Sequence, residues 1–252
     1  MSLTGVDTIV KSDDDIAMRY YPGGKGKSFQ HIINLLPPHG TYIETHLGGG
    51  AVLRQKRPAD TSIGIDLDER VIQWWRYSHP AMATFICADA VEFLRSYSFS
   101  GNELIYCDPP YLPQTRRRLR VYKYDYSEAD HVRLLAVLRS VPCSVVVSAY
   151  PSLLYESELR DWNCVYFQAK THNGVREEKL WFNFPIPDKL HDSRYLGGNF
   201  RERQNIKRRM DRLQGKLARL TRVEQHEVVS WLSKRLKDPG DSNATLHLLP
   251  RQ

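Results

Sequence analysis

Short apolar runs alternate with helix-like stretches along most of the chain. Five such runs, rich in β-branched and aromatic residues, cover residues 41–47, 62–67, 84–88, 103–107 and 143–148. Runs that are apolar almost throughout are typical of parallel strands covered by helices on both faces. The alternation therefore predicts an α/β fold built on a mostly parallel sheet.

Two more strand-like runs, 164–169 and 179–184, lie on either side of Asn173-Gly174. An Asn-Gly dipeptide between such runs is a strong signal for a hairpin, because both residues tolerate a positive φ. The sheet is therefore expected to end in an antiparallel pair of strands.

Beyond Pro187 the spacing of apolar residues becomes helical. Apolar residues recur three or four positions apart over 200–220, which predicts one amphipathic helix, and a second helix is predicted over 223–236. We expect four segments, namely a flexible N-terminus over 1–19, an α/β domain over 20–190, a basic helical extension over 191–237 and a flexible tail over 238–252.

The composition is that of a globular protein. The 252 residues are enough for one sizeable α/β domain with an appendage. Hydrophobic residues make up 41% and charged residues 26%, which excludes a disordered or fibrous chain. No apolar run approaches the roughly 18 residues that a membrane span needs, so we predict a cytoplasmic protein with no membrane partner.

The formal net charge of +7 is unevenly distributed. Residues 200–237 contain 12 lysines or arginines against 4 acidic residues, a net of +8, and the rest is near neutral. A basic segment of this kind suits a polyanion, because contacts to phosphates release counterions. A solvated helix face, and a helix pair that joins two copies of the chain into a dimer, are the open alternatives.

Residues 42–52 have the pattern of a strand that passes through Gly48-Gly49-Gly50 into a helix. In an open α/β sheet, ligands bind beyond the carboxyl ends of the strands. Glycines at the first such turn make room for a nucleotide-like molecule. A tight loop without a ligand is the alternative.

Carboxylates end the second and third strand-like runs. Asp66 follows Gly48 by 18 residues, where such folds bind ribose hydroxyls. A dinucleotide fingerprint would need a glycine where Leu53 stands, so a cofactor without a pyrophosphate is favoured over NAD. Asp89 suits either an adenine amine or the N-cap of the next helix.

The sequence Asp108-Pro109-Pro110-Tyr111 follows the fourth strand-like run. Prolines cannot donate to a β-ladder, so the strand ends here with a carbonyl beside the Asp108 carboxylate. Two acceptors on the hydrogens of an exocyclic amine free its lone pair for attack. Tyr111 would stack on a base that has left its duplex. A proline turn with a surface aspartate is the alternative.

Together with an aromatic-x-Gly-Gly-Lys motif at 21–25, these motifs resemble, over roughly residues 20–190, the Dam-type DNA adenine methyltransferases and their bacteriophage relatives. The resemblance implies a Rossmann-like methyltransferase fold of seven strands, mostly parallel with an antiparallel last strand, and S-adenosyl-L-methionine as cofactor. Tyr21, Lys25, Asp66 and Asp108 match the cofactor-contacting positions of the family. Together with residues of the glycine loop and of the strand ends, the predicted cofactor-binding residues are Tyr21, Lys25, Glu44, Thr45, His46, Gly48, Gly50, Asp66, Leu67, Asp89, Ala90 and Asp108.

Further family matches lie at Ser148-Ala149-Tyr150 and at Arg176-Glu177-Glu178, but two features depart from the family pattern. The pair Thr45-His46 replaces the usual Pro-aromatic pair of the glycine loop. Asp89 and Asp108 are only 19 residues apart, where Dam-type enzymes insert a target-recognition domain. No recognition sequence is therefore carried over from the family.

Residues 112–127 are the first candidate for contacts to nucleic acid in place of that domain. Arginine forks and tyrosine rings suit a splayed strand, although alternate tyrosines that pack on the core would give the same pattern. The basic C-terminal helices are the second candidate. The predicted contacts are Arg116, Arg117, Arg118, Arg120, Tyr122, Lys123 and Tyr124.

The cysteines and histidines give no sign of a metal. The four cysteines lack C-x-x-C spacing, and three precede or lie within strand-like runs, so we expect buried free thiols. His46, His131 and His172 lie on different segments without ligand spacing. We predict neither a disulfide nor a metal site.

These patterns lead to one hypothesis and two rivals. The chain is predicted to methylate the exocyclic amine of adenine in double-stranded DNA, with the base flipped into a pocket where Asp108, Pro109, Pro110 and Tyr111 are catalytic. The first rival keeps the fold but changes the target to adenine in RNA or to the cytosine amine. The second is a catalytically inert nucleic-acid-binding protein that retains a methyltransferase shell.

Overall fold

A computed structural model describes residues 25–26, 28–115, 123–171 and 174–236 of the chain. The chain divides into two compact units, Met1–Asp192 and Ser193–Gln252. The predicted flexible N-terminus over 1–19 and the tail over 238–252 lie outside the described residues.

Seven strands of the first unit form one sheet in the order β3-β2-β1-β4-β5-β7-β6. Strands β1 to β5 pair in parallel, and β7 is antiparallel to both β5 and β6. The prediction of a mostly parallel sheet with a reversed last strand is confirmed. The strands are β1 (Thr41–Glu44), β2 (Thr61–Asp66), β3 (Thr84–Cys87), β4 (Glu103–Cys107), β5 (Ser144–Ala149), β6 (Asn163–Thr171) and β7 (Gly174–Phe182).

Helices connect the parallel strands, as the alternating pattern predicts. Side chains at their N-caps fix where several of them begin. Asp68 accepts a hydrogen bond from the Arg70 backbone, and Ser127 forms a capping box with Asp130. The helices of this unit are α1 (Phe29–Ile33), α2 (Ala51–Gln55), α3 (Glu69–Ser78), α4 (Ala90–Ser96), α5 (Glu128–Ser140) and α6 (Leu153–Glu158), with a 3₁₀ turn at Pro113–Thr115.

Two strand boundaries differ from the prediction by three residues or more. β1 ends at Glu44 rather than at residue 47, because the chain then turns and the Leu47 backbone donates to Ile65 O. β7 begins at Gly174 rather than at 179. Its first residues pair with β6 alone, so polar residues suffice there without the apolar run that a buried strand needs.

The core lies on both faces of the central strands. Ile43, Ile105 and Val145 are completely buried on β1, β4 and β5. All four cysteines are free, but only Cys107 and Cys143 are buried. The expectation of buried thiols is wrong for the other two, because Cys87 and Cys164 lie on the edge strands β3 and β6.

The second unit contains two helices, α7 (Phe200–Leu217) and α8 (Arg222–Arg235). Their ends lie within three residues of the predicted ones. The Asn199 side chain caps α7, and a capping box of Thr221 and Glu224 starts α8. Neither helix contains a buried residue. Within the described part of the chain, no helix is both long and apolar enough to cross a membrane.

Candidate active site at the carboxyl ends of the strands

A cleft opens at the carboxyl ends of β1, β2 and β4, where the strand order reverses on either side of β1. This is the position at which open α/β sheets bind ligands. Most of the predicted cofactor residues within the described ranges line it. They are Lys25, Glu44, Thr45, His46, Gly48, Gly50, Asp66, Leu67, Ala90 and Asp108.

The glycine loop between β1 and α2 has a conformation that needs glycine. Gly48 and Gly50 have φ values of 43° and 54°, in the left-handed region. A Cβ at Gly50 would lie 2.4 Å from a ring carbon of Trp75. The indole of Trp75 also donates to Gly48 O over 2.9 Å. Trp75 therefore holds the glycine loop against helix α3.

Asp66 ties this loop to the end of β2. Its two carboxylate oxygens accept the backbone N–H groups of Gly48 and Asp68, each over 2.9 Å. Burial raises the pKa of Asp66, while these backbone bonds oppose the rise. The carboxylate lines the cleft, but contact with a ribose stays a prediction.

Asp89 takes the N-cap position that the sequence offered as one of its two roles. Its side chain accepts from the backbone N–H groups of Val91 and Glu92 at the start of α4. Unlike its neighbour Ala90, Asp89 is not part of the cleft lining. A further contact to the cofactor stays a prediction.

Glu44 supports the cleft from inside the protein. It is 3% exposed, and its carboxylate accepts the Tyr42 hydroxyl at 2.8 Å and the Leu53 backbone at 3.1 Å. Burial raises the pKa of Glu44 to about 8. The side chain thus has a structural role in addition to its place in the lining.

The pair Thr45-His46, which departs from the family pattern, is hydrogen-bonded to Tyr126, another residue that lines the cleft. Thr45 Oγ1 lies 2.9 Å from His46 Nδ1, and His46 Nε2 lies 3.0 Å from the Tyr126 hydroxyl. Burial lowers the pKa of His46 to about 3, so the imidazole is neutral. A neutral ring can donate from one nitrogen and accept at the other, which satisfies both contacts.

Asp108 lies at the end of β4 beside a buried lysine. Lys25 Nζ is 2.9 Å from Asp108 Oδ1 and 3.1 Å from Glu178 Oε2, and it also bonds the Tyr111 hydroxyl. Burial on its own lowers the pKa of Lys25, but the two carboxylates overcome this and raise it well above its usual value. The lysine is therefore a buried cation.

The same environment also shifts the pKa of the Asp108 carboxyl. Burial raises its pKa to about 6, the Lys25 ammonium lowers it, and the charge of Glu178 raises it. Asp108 is consequently ionised at neutral pH and becomes protonated only in mildly acidic solution.

The residues after Asp108 lead into an aromatic pair. Pro109 is buried and Pro110 lines the cleft. The Tyr111 hydroxyl lies 3.3 Å from Ser148 Oγ on β5, and its ring meets that of Tyr150 edge-on at 4.4 Å between centroids. The two segments that the family resemblance singled out are thus in contact.

The predicted nucleic-acid contacts are only partly described. Arg116, Arg117, Arg118, Arg120 and Tyr122 lie outside the described residues, as does the predicted cofactor residue Tyr21. Lys123 and Tyr124 line the cleft, and Lys123 Nζ is 3.4 Å from Asp68 Oδ1. These two residues lie at the predicted cofactor cleft, and their contact with nucleic acid stays a prediction.

Sequence reasoning gave no role to Trp75 or Glu178, and it counted Tyr126 only among the tyrosines of the candidate nucleic-acid segment 112–127. The burial of Glu178 could have been predicted from the sequence, because Glu178 occupies the same set of alternate positions along the strand as the apolar residues Leu180 and Phe182, which are buried. A carboxylate in phase with buried apolar residues needs a cation or a proton. No group of three potential metal-ligating side chains occurs among the residues that the structure describes.

Comparison with known proteins gives a match to one family model. Residues 75–175 match the sequence model of the D12 class N6 adenine-specific DNA methyltransferases. The match includes the Asp108 to Tyr111 motif and confirms the resemblance to the Dam-type enzymes. The match supports a methyltransferase. No curated protein matches the sequence.

Solved structures similar to this chain include M. capricolum TrmK in complex with S-adenosyl-homocysteine, with 8% identity over 83% of this chain and 95% of that one and a TM-score of 0.42. An rRNA methylase from Streptococcus thermophilus has 9% identity, with 63% and 94% covered and a TM-score of 0.42. Precorrin 8W decarboxylase from Methanobacterium thermoautotrophicum has 13% identity, with 66% and 94% covered and a TM-score of 0.41. These values are too low to bear on substrate.

Proposed function

We propose that this relative of the D12 class adenine methyltransferases transfers a methyl group from S-adenosylmethionine to the exocyclic amine of adenine in DNA. One observation carries the proposal. The Asp108 carboxylate, paired with a buried lysine, lines a cleft that includes the glycine loop, and it begins an Asp-Pro-Pro-Tyr motif.

The lining of the cleft suits S-adenosylmethionine. Leu67, which is 40% exposed, lies with Ala88 and Ala90 along one part of the lining and offers apolar contact for an adenine ring. The Asp66 carboxylate offers an acceptor for ribose hydroxyls, and the glycine loop leaves backbone exposed to the ligand. When bound, S-adenosylmethionine supplies an electrophilic methyl group on a positively charged sulfur.

The chain itself prepares the nucleophile. Asp108 accepts one hydrogen of the target amine, and the carbonyl of Pro109 accepts the other. With both hydrogens engaged, the amine nitrogen loses conjugation with the ring and its lone pair becomes available. Because Lys25 contacts Oδ1 of Asp108, the amine contact falls on Oδ2. No general base is required, and the excess proton leaves to solvent.

The target base must reach this pocket from outside. Flipping a base costs a few kcal/mol of stacking and pairing, which aromatic contacts in the pocket help to offset. Tyr111 and Tyr150 are both partly exposed and meet edge-on, so the exposed part of this aromatic pair is available to stack on a base.

The test is transfer of labelled methyl from S-adenosylmethionine to unmethylated duplex DNA and to RNA, followed by digestion to nucleosides. We expect N6-methyladenine in DNA. Asp108→Ala should reduce transfer by about a thousandfold while the circular dichroism spectrum stays unchanged. Asp161→Ala, at an exposed position, is the matched control and should be fully active.

Other outcomes separate the rivals. Label in RNA alone, or in cytosine, would replace the proposed target while keeping the reaction. Substantial activity in Asp108→Ala would contradict the proposed mechanism. Absence of both methyl transfer and cofactor binding would favour an inert nucleic-acid-binding protein.

A further inference from the structure

Glu178 is a buried carboxylate that the proposed reaction does not require. It lies on β7 with a side chain only 7% exposed, and its Oε2 is 3.1 Å from Lys25 Nζ. A lysine and an aspartate already balance each other in charge. A second carboxylate leaves the cluster with a net negative charge inside the protein, which is costly unless it serves a purpose.

The geometry around the ammonium suggests that purpose. A lysine has three N–H donors, and three oxygens surround the Lys25 ammonium, two from the loop after β4 and one from β7. Asp108 follows β4, Glu178 lies on β7, and the Tyr111 hydroxyl comes from the loop after β4. Without Glu178 the long lysine side chain would have one fewer fixed contact and would be free to rotate away from Asp108.

We propose that Glu178 is a positioning residue, which holds the Lys25 ammonium against Oδ1 of Asp108 and thereby sets the orientation and charge of the carboxylate that receives the target amine. The inference rests on the proposed function for its role in catalysis. The contacts that carry it are those of the protein alone.

The opposite face of β7 provides a contrast. Glu177 is exposed, and the next residue on its face, Lys179, is bound by both carboxylate oxygens of Glu156 at 2.7 Å. Adjacent glutamates therefore have different environments, one in solvent and one on the buried lysine. They form a matched pair for substitution.

Several charged or titratable groups surround Asp108. The experiments below change Glu178 and leave the other groups as they are. Removing the negative charge of Glu178 lowers the pKa of Asp108 from its value of about 6, because that charge opposes ionisation. Removing the positive charge of Lys25 has the opposite effect. The groups facing Asp108 are Lys25, Glu178, Tyr111, Glu44, Tyr42, Tyr106, Cys107 and Tyr155.

The first readout needs neither cofactor nor nucleic acid. The Asp108 carboxyl is titrated by NMR in full-length protein labelled with ¹³C-aspartate, and Asp108→Asn identifies its signal. We expect the Asp108 carboxyl to titrate with the same midpoint pH in the unsubstituted protein and in Glu177→Gln, and with a lower midpoint pH in Glu178→Gln. Equal midpoints in all three proteins would overturn the proposal.

The second readout is the pH profile of methyl transfer in a single turnover. In Glu178→Gln we expect the rate at neutral pH to fall by about one to two orders of magnitude, because the carboxylate is displaced, and the acid limb to move to lower pH. Glu177→Gln should leave both unchanged. A reduced rate with an unmoved acid limb would contradict an electrostatic connection to Asp108.

A third variant covers the case in which Glu178→Gln does not fold. Glu178→Asp keeps the charge but shortens its reach, so the Asp108 midpoint should stay near that of the unsubstituted protein while the rate falls. An unchanged rate would overturn the positioning role. If the unsubstituted protein made no methyladenine, the proposed function would fail, but the titration would still decide whether Glu178 acts on Asp108.

Discussion

The proposed reaction requires Asp108 to be charged in a place where burial favours its protonated form, and the buried Lys25 ammonium opposes that effect. The sequence located Asp108 from the strand that precedes it and the prolines that follow. It also located Lys25, but only through the family resemblance and as a cofactor contact. It gave no role to Glu178, because the pairing of β7 with β5, which brings this strand into the sheet, is not encoded locally.

His46 gives a prediction about acid stability. Its pKa of about 3 in the folded protein lies below the roughly 6.5 of an unfolded histidine, so folding disfavours its protonation. The stability that His46 contributes is present above pH 6.5 and is lost as the pH falls toward 3. Between pH 7.5 and 5 we expect the free energy of unfolding to fall by up to about 2 kcal/mol more in the unsubstituted protein than in His46→Gln.

Urea unfolding at the two pH values measures this difference. His226, which is exposed on α8, provides the control, and His226→Gln should behave as the unsubstituted protein does. The same pH dependence in His46→Gln as in the control would show that the imidazole is not held neutral.

At the scale of elements, the strands were predictable to within a few residues because each carries its own apolar run. The boundaries that were missed depend on neighbours instead. β1 ends early because the glycine loop bonds to β2, and β7 starts early because β6 supplies its partners. The position of the cleft was predicted from the order of motifs. The contact of Trp75 with the glycine loop was not predicted, because a tryptophan in a helix can pack in any hydrophobic core.

The loop between β1 and α2 gives a prediction about packing. Gly50→Ala places a methyl group 2.4 Å from the Trp75 ring, so we expect it to destabilise the first unit and weaken cofactor binding. Gly101→Ala also has a positive φ, but its Cβ would meet nothing closer than 3.8 Å. The loss in free energy of unfolding should be larger for Gly50→Ala by about 1 to 3 kcal/mol.

Thermal or urea unfolding of both variants measures this difference, and binding of S-adenosylmethionine by calorimetry measures the effect on the cleft. If the two alanine variants were equally stable, the tryptophan would not restrict the loop, and the loop conformation alone would explain the glycine.

At the scale of the whole molecule, basic residues are concentrated on the second unit. Helix α7 carries seven lysines or arginines against two acidic residues. The charge was evident from the sequence, as were both helices. What the helices contact was not, because a basic amphipathic pattern is common to nucleic-acid contacts and to helix pairs. We favour DNA phosphates as the partner of α7.

Salt dependence tests this choice. Replacing Arg208, Arg209 and Arg212 by glutamine should weaken DNA binding and reduce the slope of log affinity against log salt by up to about 2.7, since each phosphate contact contributes roughly 0.9. A control with three exposed cations of the first unit replaced should keep the slope. The control positions are Arg95, Arg160 and Lys189.

An unchanged slope in the α7 variant would remove DNA as its partner. A change of sedimentation coefficient in that variant, with DNA binding intact, would favour a helix pair between copies of the chain.

The contact between Lys25 and Glu178 joins residues 153 positions apart, near the two ends of the first unit. During synthesis the chain emerges from its N-terminus, so Asp108 and its lysine leave the ribosome long before β7 does. A nascent chain that has not reached Glu178 therefore holds the carboxylate, the lysine and the glycine loop without the strand that completes them. If Glu178 positions Lys25 as proposed, the site is complete only when nearly all of the sheet has been made.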